Sequence, residues 1–156
     1  SSPLQRAKDT ALTILSSLET SEVPSLQVAD NLMEIDLPLW EGLHKEEVKE
    51  KFPADYRTWK NQPQELRMQV STPEGTREFF PVLALYEQAK QFWQEVLPRH
   101  AGKTILVVAH NGINRALLST ALGIAPERYH SIQQSNCGIN VLNFAGVWGN
   151  LCSWSR

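Results

Sequence analysis

The stretch from Thr104 to Leu118 changes hydrophobic period half way along and places His110 at the change. Ile105 to Ala109 is an unbroken apolar run rich in β-branched residues, which predicts a strand buried on both faces of a parallel sheet. From Asn111 onward Ile113, Ala116, Leu117, Thr120 and Ala121 recur at helical spacing. A strand therefore ends and a helix begins with His110 at the joint. In open α/β sheets ligands bind at the carboxyl edge of a strand, and the free N–H groups and dipole of the following helix favour an anion there. A histidine donor at that joint points to a phosphate or carboxylate site. A lone histidine is more often a hydrogen-bonded structural residue, so the assignment needs support from elsewhere in the chain.

Two further places carry chemistry-bearing types. Arg6 falls in the first turn of an expected helix, where a cation opposes the helix dipole unless an anion lies close by. Glu34, Asp36 and Glu41 sit among the apolar residues Leu32 to Gly42, where Pro38 excludes a continuous helix; this reads as an irregular loop lining a cleft. For Asp36 and Glu41 a plain surface charge is the more natural reading. Gly102-Lys103-Thr104 is not the end of a phosphate loop, because Leu97 stands where that motif needs glycine and the strand follows instead of preceding. The histidines at 44, 100, 110 and 130 form no metal-ligand pair at helical spacing, and Cys137 and Cys152 are too far apart for a metal knuckle. No metal and no cofactor are expected.

The surrounding elements follow from periodicity and capping. Ser2 is a candidate N-cap with Pro3 in the first turn, and Leu4, Ala7, Ala11, Ile14, Leu15 and Leu18 trace one apolar face. A short strand is expected at Leu26 to Val28, then short helices over His44 to Phe52 and Ala54 to Lys60, the latter with Tyr56 and Trp59 on one side. Asn61 to Gly75 has two prolines and little periodicity and reads as a long loop or lid. Thr76 is a candidate cap, with Glu78 in the first turn, for a helix striped by Phe79, Leu83, Tyr86, Ala89 or Lys90, Trp93 and Leu97, and ending at Pro98 to Gly102. Ala125-Pro126-Glu127 starts a helical turn. Gly138 to Phe144 alternates as a strand whose hairpin partner is Trp148 to Trp154 around Gly146.

Size and charge bound the function. A chain of 156 residues, 42% of them hydrophobic, is long enough for one core and short for two. A net charge of −2 gives no polybasic footprint for nucleic acid or an anionic membrane, and no apolar run approaches the ~20 residues of a membrane span. Two thiols in such a chain suggest a reducing compartment, the cytoplasm, or the chloroplast stroma in a plant.

Three motifs now line up in order: Ser1-Ser2-Pro3-Leu4-Gln5-Arg6-Ala7 with Thr10-Ala11, Leu32-Met33-Glu34-Ile35-Asp36 with Trp40-Glu41-Gly42, and Val107-Val108-Ala109-His110. Together they resemble the histidine phosphatase (phosphoglycerate-mutase-like) superfamily. The last third, with Val108-Ala109-His110-Asn111 and Gln134-Ser135-Asn136-Cys137-Gly138, is most similar to the plant and cyanobacterial 2-carboxy-D-arabinitol-1-phosphatase-like group. The resemblance implies a three-layer α/β/α fold around a mostly parallel central sheet, formed by a single domain over residues 1–156. It implies that Arg6 clamps the phosphoryl group, that Glu34 protonates the leaving alkoxide, and that His110 holds the transferred phosphoryl group. Phosphate contact is expected at Arg6 and at Asn111, where the helix starts. Such types suit the task, since a guanidinium and a helix terminus neutralise phosphoryl oxygens and a poor leaving group needs a proton.

The family's nucleophile is a further histidine, in an Arg-His-Gly motif at the end of the first strand, and no such triplet occurs here. Arg99-His100 is followed by Ala101 and lies in a helix-to-strand loop. The resemblance implies that the motif, with its strand and helix, precedes Ser1, so that this domain is N-terminally incomplete. An unpaired central edge would then bind that segment or a second copy. Pro38 stands at the acidic motif's usual glycine, and Asn111 follows the histidine where glycine is common. The expected partners are a small phosphorylated sugar or sugar acid, or inorganic phosphate. A non-catalytic binding or regulatory module and a mutase-type phosphotransferase stay open as alternatives.

Overall fold

The computed structural model describes residues 1–20, 23–73, 75–144 and 152–155. The fold is α/β. In chain order it consists of α1 (Gln5–Ser16), α2 (Lys45–Lys51), α3 (Pro53–Asn61), β1 (Met68–Thr72), β2 (Gly75–Phe79), α4 (Pro81–Arg99), α5 (Asn111–Ala121), β3 (Val141–Phe144) and β4 (Cys152–Ser155). Single 3-10 turns at Asp30–Leu32 and Pro63–Glu65, and a kinked pair of 3-10 turns over Pro126–Ser131, link them. None of the helices is long and apolar enough to cross a membrane, among the described residues.

The main core lies between α4 and α5. Val82, Leu85, Tyr86, Ala89, Phe92 and Trp93 recur at helical spacing on α4 and meet Ile113, Ala116 and Leu117 of α5, with Leu32 and Tyr129 in the same cluster. The Trp93 indole N–H donates to the Leu117 carbonyl at 3.1 Å, so this buried ring crosses to α5 with its polar edge satisfied. A second cluster gathers Trp40, Val48, Leu66 and Met68 under α2 and the β1–β2 hairpin. Trp59 packs against both clusters, and its ring lies 5.9 Å from Trp40 and 5.6 Å from Tyr129 in edge-on geometry.

The helices expected around His44 to Lys60 and the start of α5 at Asn111 are where the pattern puts them. Asn61 to Gly75 is not a structureless lid: it holds a 3-10 turn and the first strand of an antiparallel hairpin pairing Met68 with Phe79. Thr76 and Glu78 accordingly belong to β2 and cap no helix. Glu78 instead accepts from Gln69 at 2.7 Å and pairs with Arg67 at 2.9 Å. Helix α4 starts at Pro81, because a proline fits the first helical position while holding the residue before it extended, as Phe80 is (φ −107°, ψ 102°). The buried stripe therefore shifts, and Leu83 is exposed. The helix runs through Pro98 to Arg99. At the amino end the cap of α1 is Leu4, not Ser2, and the helix stops at Ser16, leaving Leu18 exposed.

Residues 103–110 form no assigned strand, and both assigned ladders are antiparallel pairs, β1 with β2 and β3 with β4. Instead of a strand buried on both faces, Ile105 is 40% and Leu106 63% exposed. The physical reason is the lack of ladder partners: among the described residues, the backbone bond made by Ile105 to Ala109 outside helices and strands is the Ser2 N–H to the Val108 carbonyl, 3.0 Å. Ser1 continues the arrangement on its other side, donating to Gln27 at 2.6 Å and accepting from Ala29 at 3.0 Å. The expected strand at Leu26 to Val28 is thus a bridged segment and not an assigned strand. Strand β3 is shorter than expected, and the Gly146 turn and Trp148 lie outside the described residues.

Candidate active site

His110 is the N-cap of α5 and is buried. Its Nε2 lies 2.8 Å from the hydroxyl of Ser2, which is wholly buried. That hydroxyl also accepts from the Leu4 N–H at 3.3 Å. A buried hydroxyl proton needs an acceptor, and His110 Nε2 is the one within reach among the described residues, so Ser2 donates and His110 keeps its proton on Nδ1. Burial lowers the His110 pKa below its ordinary value, the Arg6 charge lowers it further, and the Glu34 carboxylate acts in the opposite sense. His110 is neutral at pH 7 as a result. Glu34 and His110, from two separate segments, meet at the amino end of α5.

Arg6 is in the first turn of α1, exposed, and that turn has no acidic residue. Its cation therefore has no local anion to answer it. Glu34 sits on the amino end of α5. Its Oε2 accepts from the Gly112 N–H at 3.0 Å, and its Oε1 accepts from the Ile113 N–H at 3.0 Å and the Ile35 N–H at 2.8 Å. The carboxylate thereby satisfies two of the N–H groups that a helix start leaves orphaned. The anion expected at this helix terminus is in this structure a side chain of the protein itself.

Asn111, the expected phosphate contact, turns its side chain elsewhere. Its Nδ2 donates to the Gln134 carbonyl at 3.0 Å, and its Oδ1 accepts from Arg115 at 3.2 Å. Asp36 and Glu41 are exposed, and Glu74 lies outside the described residues.

The sequence patterns did not single out Ser2 as a partner of His110, nor Gly112. A Cβ at Gly112 would run into Glu34 Oε1 and come within 3.0 Å of Ile35 and of the Tyr129 hydroxyl. The available signal was a glycine at the second position of a helix, where it costs helix propensity and so needs a packing reason.

Arg115, Tyr129 and His130 form the adjoining wall. His130 donates from Nε2 to the Trp59 carbonyl at 2.6 Å, which leaves Nδ1 to accept from Arg115 Nη1 at 3.3 Å. Burial lowers the His130 pKa, the bond to Trp59 raises it, and Arg115 and Lys60 lower it further. The Arg115 guanidinium stacks 4.9 Å from the centre of the Tyr129 ring. Among the described residues no group of three or more His, Cys, Asp or Glu side chains could hold a metal ion.

The fold sets a glutamate and a histidine from distant segments at one helix terminus, and sequence comparison names the class of the chain. The chain belongs to the histidine phosphatase superfamily (branch 1), which it matches over residues 1–155. It is 40% identical over 143 residues to the "Probable 2-carboxy-D-arabinitol-1-phosphatase" of Arabidopsis thaliana, covering 92% of this chain and 27% of that protein. It is 32% identical over 145 residues to phosphoserine phosphatase 1 of Hydrogenobacter thermophilus, covering 92% of this chain and 62% of that one. The chain thus spans about a quarter of the first relative and under two thirds of the second. Among solved structures, Bacillus stearothermophilus YhfR has the same fold, with a TM-score of 0.74 at 20% identity over 93% of this chain and 66% of that one.

Proposed function

We propose that the protein hydrolyses phosphomonoesters of small sugars or sugar acids through a phosphohistidine intermediate, with the nucleophilic histidine supplied by residues outside these 156. The observation that carries the reading is Glu34 docked on the amino end of α5 beside that helix's cap, His110, with the Arg6 charge acting on His110. In this scheme the nucleophilic imidazole forms a bond to phosphorus as the ester oxygen leaves with the bonding pair. Arg6 and His110 hold the equatorial oxygens, joined by the Asn111 N–H, which Glu34 does not occupy. Glu34 gives its proton to the departing alkoxide. Both lone-pair positions on Oε1 are taken by Ile35 and Ile113, whereas Oε2 accepts one bond, from Gly112, so Oε2 is the oxygen with a position left to deliver the proton in the reacting form. Water then attacks the phosphohistidine, releasing inorganic phosphate and the free imidazole.

The site of action in this reading is a reducing compartment, in keeping with the exposed, free thiol of Cys137. The exposed Ile105 and Leu106 edge is proposed to pair with a further strand from the same protein or a second copy.

A second reading, a non-catalytic module that binds phosphate compounds, is favoured by one observation, the lack of an Arg-His-Gly triplet in the 156 residues. Rapid quenching of the full-length protein with a labelled sugar phosphate separates the two. The hydrolase forms an acid-labile, base-stable phosphoprotein that turns over, and His110→Ala slows its formation by about 10²–10³-fold, as for loss of one donor to the phosphoryl oxygens. A module binds without forming one.

A further inference from the structure

Arg115 carries a charge that the fold leaves unanswered. Among the described residues none of the ion pairs involves it, and its Nε is buried with no acceptor. Its hydrogen-bonded partners, among them His130 Nδ1, Asn111 Oδ1 and Tyr129, are neutral groups. Glu34 is turned onto the helix amides. Helical side chains lean toward the amino end of their helix, and the Arg115 guanidinium reaches back a full turn to residue 111, beside the terminus where the phosphoryl group is proposed to bind. Stacking on Tyr129 from one side and the His130 bond, itself fixed by the Trp59 carbonyl, hold the planar fork in one orientation.

We infer that Arg115 is a specificity residue that reads a carboxylate of the substrate, so that the preferred phosphomonoesters are phosphorylated hydroxy acids and not neutral sugar phosphates. A rigid guanidinium matches a carboxylate with two parallel N–H···O bonds, and its weak hydration makes a partly buried position tolerable. One helical turn, 5.4 Å, is the scale of the distance between a phosphoryl group and a carboxylate two or three carbons away. The inference rests on the proposed phosphoryl site but names a different residue and a different substrate group.

The test uses the full-length protein and the pair 3-phosphoglycerate and glycerol 3-phosphate, which differ in a carboxylate against a hydroxymethyl group. Wild type is expected to prefer the acid. Arg115→Ala should raise KM for the acid by about 10- to 100-fold, as for loss of a hydrogen bond to a charged group, and change KM for glycerol 3-phosphate by less than about 3-fold. Arg115→Lys, which keeps the charge but not the fork, should recover part of the preference. Binding of both compounds, followed by tryptophan fluorescence with Trp59 beside His130, reads the same preference without turnover. Absence of any preference or binding in wild type, or equal losses on both compounds in Arg115→Ala, overturns the inference; equal losses would make Arg115 a brace for Asn111 and Tyr129. If neither compound is hydrolysed but binding still favours the acid through Arg115, the hydrolase reading fails and the carboxylate site stands.

Discussion

The Ser2 hydroxyl and His110 Nε2, 108 residues apart in the chain, lie 2.8 Å from each other in a buried contact. Ser2 also binds the segment before His110 through its own N–H, 3.0 Å from the Val108 carbonyl. Side chain and backbone of one residue thus fix the histidine and the extended segment that delivers it. Ser2→Ala is expected to cost about 1–3 kcal/mol of stability, since it leaves a buried ring nitrogen and the Leu4 N–H without a partner. Nitrogen NMR of His110 should show the Nδ1–H tautomer in wild type and a mixture in Ser2→Ala. A wild-type Nε2–H tautomer would reverse the donor and acceptor assigned to this pair.

Gly112 controls whether Glu34 can reach the helix. A methyl group there displaces Oε1, while alanine gains about 1 kcal/mol of helix propensity over glycine. Overpacking and loss of the capping bonds outweigh that gain, so Gly112→Ala should be destabilised by about 1–3 kcal/mol net in urea unfolding. A neutral or stabilised variant would mean that Glu34 does not dock on these amides.

Both His110 and His130 have pKa values lowered by burial. The unfolded chain then binds more protons than the folded one as pH falls through the ordinary histidine value of about 6.5, so stability drops toward acid and is flat above that value. Thermal melts between pH 5 and 8 should show a Tm that rises with pH and levels off near neutrality. His130→Gln, which keeps a donor toward the Trp59 carbonyl, should flatten the slope. A Tm that falls between pH 5 and 7 would contradict the buried, neutral assignment of these rings.

The exposed Ile105 and Leu106 lie in a segment with few backbone partners. Expressed alone, residues 1–156 should self-associate through that edge and elute above the 17.6 kDa of one chain, with no phosphatase turnover. A soluble monomer would tell against the edge as a pairing surface, and turnover lost in His110→Ala would place a nucleophile inside these residues.

Much of the site could be read from local pattern. The period change at His110, the cation in the first turn of α1 and the acid before an interrupted apolar loop are each set by neighbours in sequence, and they carried the family resemblance. The anion at the α5 terminus was legible as a requirement but not as Glu34, because which carboxylate fills it depends on how the Leu32 to Gly42 loop folds back. Arg115 looked like any polar position on a helix, since its stacking on Tyr129 joins segments that no short pattern links. The β1–β2 hairpin was missed because Glu78 suits a helix start as well as a cross-strand pair, and Pro81 decides between them. Ile105 to Ala109 has the composition of a central strand, yet a strand exists only with partners.

The most direct measurement compares two substrates in the full-length protein carrying Glu34→Gln. A sugar phosphate, whose alkoxide needs a proton to leave, should be slowed by about 10²–10⁴-fold, the usual contribution of a general acid. An aryl phosphate, whose phenolate departs unaided, should be slowed far less, whereas Arg6→Ala should damage both alike through loss of charge stabilisation. Equal slowing of the two substrates by Glu34→Gln would contradict the account, making Glu34 only the cap of α5 and moving the proton donor to Asp36 or Glu74.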